Sequence, residues 1–75
     1  MNYDLAMMAL EGLARAPITI RSAGNEVTIE GSPASLKELA RLLLLLSGDS
    51  DDAVELQQNV HLTNGSVGLR VRVEV

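Results

Sequence analysis

Residues 31–48, Gly-Ser-Pro-Ala-Ser-Leu-Lys-Glu-Leu-Ala-Arg-Leu-Leu-Leu-Leu-Leu-Ser-Gly, constrain this chain more than any other stretch. They read as one complete helix over 33–47. Ser32 can accept from the first free backbone donors, and Pro33 at the first helical position forfeits no needed hydrogen bond. Gly48 is expected to end the helix in the left-handed conformation. Leu36, Leu39, Ala40 and Leu43 form one stripe, which Leu42, Leu44 and Leu46 widen to an apolar arc of about 200°. Lys37, Glu38 and Arg41 hold the opposite face, with Leu45 stranded among them. A sheet satisfies an arc of only ~100°, so the surplus needs a second neighbour, either another helix or a second copy of the chain.

Such a helix must find its partners within a small domain. The chain has 75 residues, 47% of them apolar, with Tyr3 the only aromatic, so the core is aliphatic. One domain over 1–75 is expected, near the size at which a single core barely suffices. There is no cysteine to staple it. Oligomerisation is the remaining device, and a homodimer is expected, with Leu42, Leu44, Leu45 and Leu46 as one candidate interface and the unpaired end of the last strand as another.

Around the central helix the order is α-β-β-α-β-β, an α+β chain with a four-stranded, mainly antiparallel sheet and its helices on one face. Residues 3–15 read as the first helix, with Asn2 as cap and Glu11 and Arg15 one turn apart. Its small residues Ala6 and Ala9 permit close approach to Leu42 and Leu46, Met7 and Met8 read as packing, and Pro17 ends it. Residues 18–30 read as a hairpin turning at Gly24-Asn25, with Ile20 opposite Ile29 and Ser22 opposite Val27. Residues 57–75 read as a second hairpin turning at Asn64-Gly65, pairing Leu62 with Val67 and Val60 with Leu69. The last strand alternates over 67–75 and is placed inside the sheet, in the order 1-2-4-3 or, as the alternative, 2-1-4-3.

Several function classes are not expected. The net charge of −4 and the lack of aromatics argue against nucleic acid. No apolar run approaches the ~20 residues of a membrane span. Nothing basic precedes the first apolar run, so secretion is not expected either, and the cysteine-free chain fits the cytoplasm. His61, the only histidine, has no evident partner for general-base or metal work. The acidic run Asp49, Asp51, Asp52 and Glu55 lacks the glycine and ligand spacing of a calcium loop. No serine lies in a nucleophile motif and no glycine spacing suits a phosphate. The expectation is a non-enzyme without catalytic residue, cofactor or metal.

What remains is the open face of the sheet, where Arg21, Thr28, Glu30, His61, Arg70 and Arg72 are the candidate partner-binding residues. Thr19, Thr63 and Glu74 lie beside them, and arginine is enriched at protein interfaces. At this point the chain resembles the immunity-protein 32 family of bacterial polymorphic-toxin systems. The resemblance rests on Asn25–Leu45, on Val60-His61-Leu62, and on the strand Val67–Val75. Residues 1–16 lie outside it, and Ala34 and Ser35 stand where the family has an acidic residue soon after the proline. It implies a small cytoplasmic domain that neutralises a toxin by binding it, with no catalytic residues to carry over. The alternative expectation is a self-assembling structural or regulatory module.

Overall fold

The computed structural model describes residues 2–48 and 53–74. Six elements follow in the expected α-β-β-α-β-β order: α1 (Tyr3–Arg15), β1 (Thr19–Ala23), β2 (Glu26–Glu30), α2 (Pro33–Ser47), β3 (Ala53–Leu56) and β4 (Leu69–Arg72). Both helices begin where their caps predict. Asn2 Oδ1 accepts from the Leu5 N–H at 3.2 Å, and Ser32 Oγ accepts from the Ser35 N–H at 3.0 Å. Gly48 differs from expectation. Its φ of −86° is not left-handed, and its N–H returns to the Leu45 and Leu46 carbonyls in a tightened last turn.

α1 packs on α2. Ala6, Ala9 and Leu13 from one helix and Leu39, Leu42 and Leu46 from the other are all buried in a single core cluster. A Cβ at Gly12 would stand 2.8 Å from Glu38 Oε2, the end of a flexible side chain that can turn aside. Ser35, buried at the start of α2, donates from Oγ to the Ala16 carbonyl at 2.6 Å. That bond ties the end of α1 to the start of α2 and leaves no orphaned donor inside the joint. α1 therefore covers the Leu39, Leu42 and Leu46 side of α2, while Leu36, Leu43 and Leu44 of the expected apolar arc stay exposed. Leu45, expected to stay exposed, is partly buried against the core, while Leu44 is 74% exposed. Met7 and Met8, expected as packing, are exposed.

The first hairpin keeps the expected register, with Ile20 opposite Ile29 and Ser22 opposite Val27. Gly24 has φ +60° at the first turn position, which suits the turns that match strand twist. The second half of the chain departs from expectation. There is no four-stranded sheet, and neither proposed strand order holds. β1 pairs only with β2, and β3 pairs antiparallel with β4, giving two separate two-stranded sheets. The pairs are Val54 with Val71 and Leu56 with Leu69, not Leu62 with Val67 or Val60 with Leu69. β4 has four residues, shorter than the strand expected over 67–75.

Two physical causes account for the difference. At Asn64-Gly65 only the glycine has positive φ, +87°, and the Ser66 N–H closes the turn on the Thr63 carbonyl at 3.1 Å. A turn left-handed at its second central residue is type II, whereas hairpin turns need positive φ at the first. Upstream, Gln57-Gln58-Asn59 breaks the apolar alternation. The chain coils there, with Asn59 at φ +63° and the Gln57 carbonyl accepting from the Val60, His61 and Leu62 N–H groups. Ala53-Val54-Glu55-Leu56 supplies the better alternating strand, with Val54 and Leu56 buried.

Residues 61–67 lie instead along the free edge of β1. The Ile18 N–H donates to the His61 carbonyl at 3.1 Å, and the Thr63 and Val67 N–H groups donate to the Ile18 and Ile20 carbonyls at 2.9 Å. The remaining donor, the Ile20 N–H, is met at 3.1 Å by Oγ of the buried Ser66. Ser66→Ala is expected to cost about 1–3 kcal/mol in urea unfolding, because it strands that buried N–H. Thr28→Ala, on the exposed β2, should stay within about 0.5 kcal/mol. Equal effects from the two would contradict this assignment. Gly31→Ala should also destabilise, by about 1–3 kcal/mol, since its Cβ would stand 2.7 Å from Cγ2 of the fully buried Ile18. A neutral Gly31→Ala melt would contradict that contact.

Candidate functional site

The expected open face is divided between the two sheets. On the first, Arg21 lies directly across from Thr28, and its guanidinium pairs diagonally with the Glu30 carboxylate. Thr19 faces Glu30 across the ladder and its Oγ1 lies 2.7 Å from Thr63 Oγ1. Thr63 in turn lies 2.9 Å from Ser66 Oγ, and the Gln58 amide donates to the Ser66 carbonyl. This run of hydroxyls fixes the 61–67 segment and extends the polar face of the hairpin from β2 across β1 to Thr63.

Arg70 and Arg72 belong to the other sheet. Arg70 Nε reaches Glu55 at 3.4 Å across the β3–β4 ladder, and Arg72 lies opposite Ala53. The structure thus brings Arg21, Thr28 and Glu30 together and does not bring Arg70 and Arg72 to them within the same sheet. Of the expected oligomer interface, Leu42 and Leu46 belong to the chain's own core and Leu45 is partly buried, so Leu44 alone is fully displayed. Of the four acidic residues considered for calcium, Asp49, Asp51 and Asp52 lie outside the described residues, and Glu55 pairs with Arg70.

β2 is the most displayed element. All of its residues are exposed, including Val27 at 62% and Ile29 at 41% on the side that faces the core at Ile20. Its outer edge carries no backbone partner among the described residues. It is an open strand with an aliphatic face, a polar face and free ladder groups, which is the geometry that accepts another chain.

The concave features offer no chemistry of comparable definition. A cleft of about 480 Å³ between α1 and α2 is lined by Met8, Glu11, Arg15, Glu38 and Arg41 among others. Glu38 there already pairs with Arg41 at 2.8 Å, and the one hydroxyl in the lining, Ser35, is spent on the Ala16 carbonyl. Among the described residues, no group of three His, Asp or Glu side chains could hold a metal. No helix among them is long and apolar enough to cross a membrane. Compared with protein-family models, curated proteins and solved structures, the chain matches none.

Sequence reasoning missed Ser66. In sequence it is one more turn serine; only the docking of 61–67 on β1 makes it a buried acceptor. It also placed His61 on a strand, whereas the ring caps a coil. His61 Nδ1 accepts from the Gln57 N–H at 3.3 Å, and burial lowers its pKa below the ordinary 6.5. The unfolded chain therefore takes up the proton first, so this contribution is complete above pH 6.5 and is lost as pH falls through the lowered value. Between pH 7 and pH 5 the melting temperature of the wild type should fall further than that of His61→Gln. Equal falls would show that His61 is not the group responsible.

Proposed function

We propose that this chain is a non-enzymatic protein-binding domain, acting in the cytoplasm as an immunity protein that neutralises a bacterial toxin domain by binding it. The observation that carries the reading is β2, a whole strand displayed in solvent with an open edge, uncovered valine and isoleucine, and a polar face shared with Arg21. The alternate side chains of such a strand, Thr28 and Glu30 beside Arg21, give a partner a polar face to read. The likeness of Asn25–Leu45 to the immunity-protein 32 family supports the class of partner. The absence of a membrane-length apolar helix among the described residues is compatible with the compartment.

Co-expression with any toxin domain found encoded beside this gene tests the reading. The wild-type chain should restore growth, and the purified pair should form a stoichiometric complex. Arg21→Ala, at the centre of the polar face, should weaken that complex by about 2 kcal/mol, roughly thirty-fold in Kd, and Lys37→Ala, on the outer face of α2, should leave it unchanged. Growth still arrested in the presence of the wild-type chain, or a neighbourhood without a toxin gene, would contradict the immunity reading.

A further inference from the structure

Among the described residues β2 and β4 each have an outer edge without a strand partner, and the chemistry of these two edges is complementary. Among the described residues β2 is hydrogen-bonded only to β1, and β4 only to β3. β2 alternates Glu26, Thr28 and Glu30 with Val27 and Ile29; β4 alternates Arg70 and Arg72 with Leu69 and Val71. Glu30 is held by Arg21, and Arg70 by Glu55. Glu26 and Arg72 have no ion-pair partner among the described residues. Among the described residues, Glu26 and Arg72 thus stand as an acid and a base without an ion-pair partner, each on a strand with one open edge.

From this we infer that two copies of the chain join edge to edge, β2 of one copy against β4 of the other. The joined sheet runs β1-β2-β4-β3 across the joint. The inference rests on the protein-binding reading and moves its surface from the edge of β2, which the joint covers, to the polar face, where Arg21, Thr28 and Glu30 of one copy lie beside the partner's Arg70 and the partner's Arg72. The expected strand order 1-2-4-3 is made between chains instead of within one.

The match does not depend on strand direction. An antiparallel joint with Glu26 opposite the partner's Arg72 sets Val27 on the partner's Val71 and Ile29 on the partner's Leu69. A parallel joint with Glu30 opposite the partner's Arg72 sets Ile29 on the partner's Val71 and Val27 on the partner's Leu69. Each strand fits its own copy less well. β2 against β2, with Val27 kept on Ile29, opposes Glu26 to Glu30; β4 against β4, centred on Val71, opposes Arg70 to Arg72. Like charges directly opposite each other are destabilising, and opposite charges add to the ladder. A two-fold axis makes the β2–β4 joint twice, so the outer edges of β2 and β4 are covered in both copies.

A charge exchange tests the joint without any toxin, so its failure is distinct from failure of the immunity reading. The wild type at micromolar concentration should have about twice the 8.0 kDa chain mass by light scattering. Glu26→Lys with Glu30→Lys sets lysines against arginines; Arg70→Glu with Arg72→Glu sets acids against acids. Each double variant alone should be a monomer with a wild-type helical circular dichroism spectrum. Their equimolar mixture should recover the dimer mass, because each β2 then meets a β4 of opposite sign. Leu44→Glu, on the exposed face of α2, should remain dimeric. A monomeric wild type overturns the inference. So do double variants that stay dimeric, a mixture that stays monomeric, or a dimer that Leu44→Glu dissociates.

Discussion

The docking of residues 61–67 along β1 is the interaction on which the rest of this structure depends. An isolated two-stranded hairpin is marginal in water, and β2 contributes no buried residue of its own. What makes β1 a core strand is its second edge. Three backbone hydrogen bonds and the Ser66 hydroxyl cover it, and Ile18, Ile20 and Leu62 are buried in consequence. The same docking decides which edge stays open. With one side of β1 occupied by the 61–67 segment and the other by β2, the outer edge of β2 has no partner among the described residues of its own chain. The candidate binding surface is a by-product of how the core is closed.

The helices answer the same shortage of apolar bulk. Without large aromatics, the core is filled by leucine, isoleucine and alanine stripes that need close backbone approach. Gly31 against the buried Ile18 is the place where a Cβ would intrude on the core. Ser35 seals the helix joint without adding an unsatisfied group, just as Ser66 does for the sheet. Small buried hydroxyls thus do what larger polar side chains could not do in a core of this size, since each donor and acceptor finds a partner at short range.

Both helices and the first hairpin were legible in the sequence because their signals are local. Asn2 and Ser32 cap, Pro33 opens, the apolar residues keep a helical period, and Gly24-Asn25 sets a register that alternation confirms on both strands. The C-terminal half was not legible, because its outcome is a competition between distant segments. Asn64-Gly65 is a strong hairpin pair, yet the turn takes the type that leaves residues 61–67 free to lie on β1. No local rule tells which edge a segment will occupy. Gly48 and Leu45 show the same limit at single residues: one ends its helix without left-handed geometry, the other is covered by packing that the helical wheel alone does not contain. The candidate face was half legible. Arg21, Thr28 and Glu30 share a face as alternation requires, but Arg70 and Arg72 follow β3 to the second sheet.

Native-state amide exchange of the Ile20 N–H, which donates to Ser66 Oγ at 3.1 Å, tests the central role of this docking most directly. If residues 61–67 close the core, that amide opens only with the whole domain, and its protection should equal that of amides in the middle of α2 around Leu42. Exchange at Ile20 as fast as that of the exposed turn residues Asn64 and Gly65 would contradict the account, for β1 would then have an open second edge.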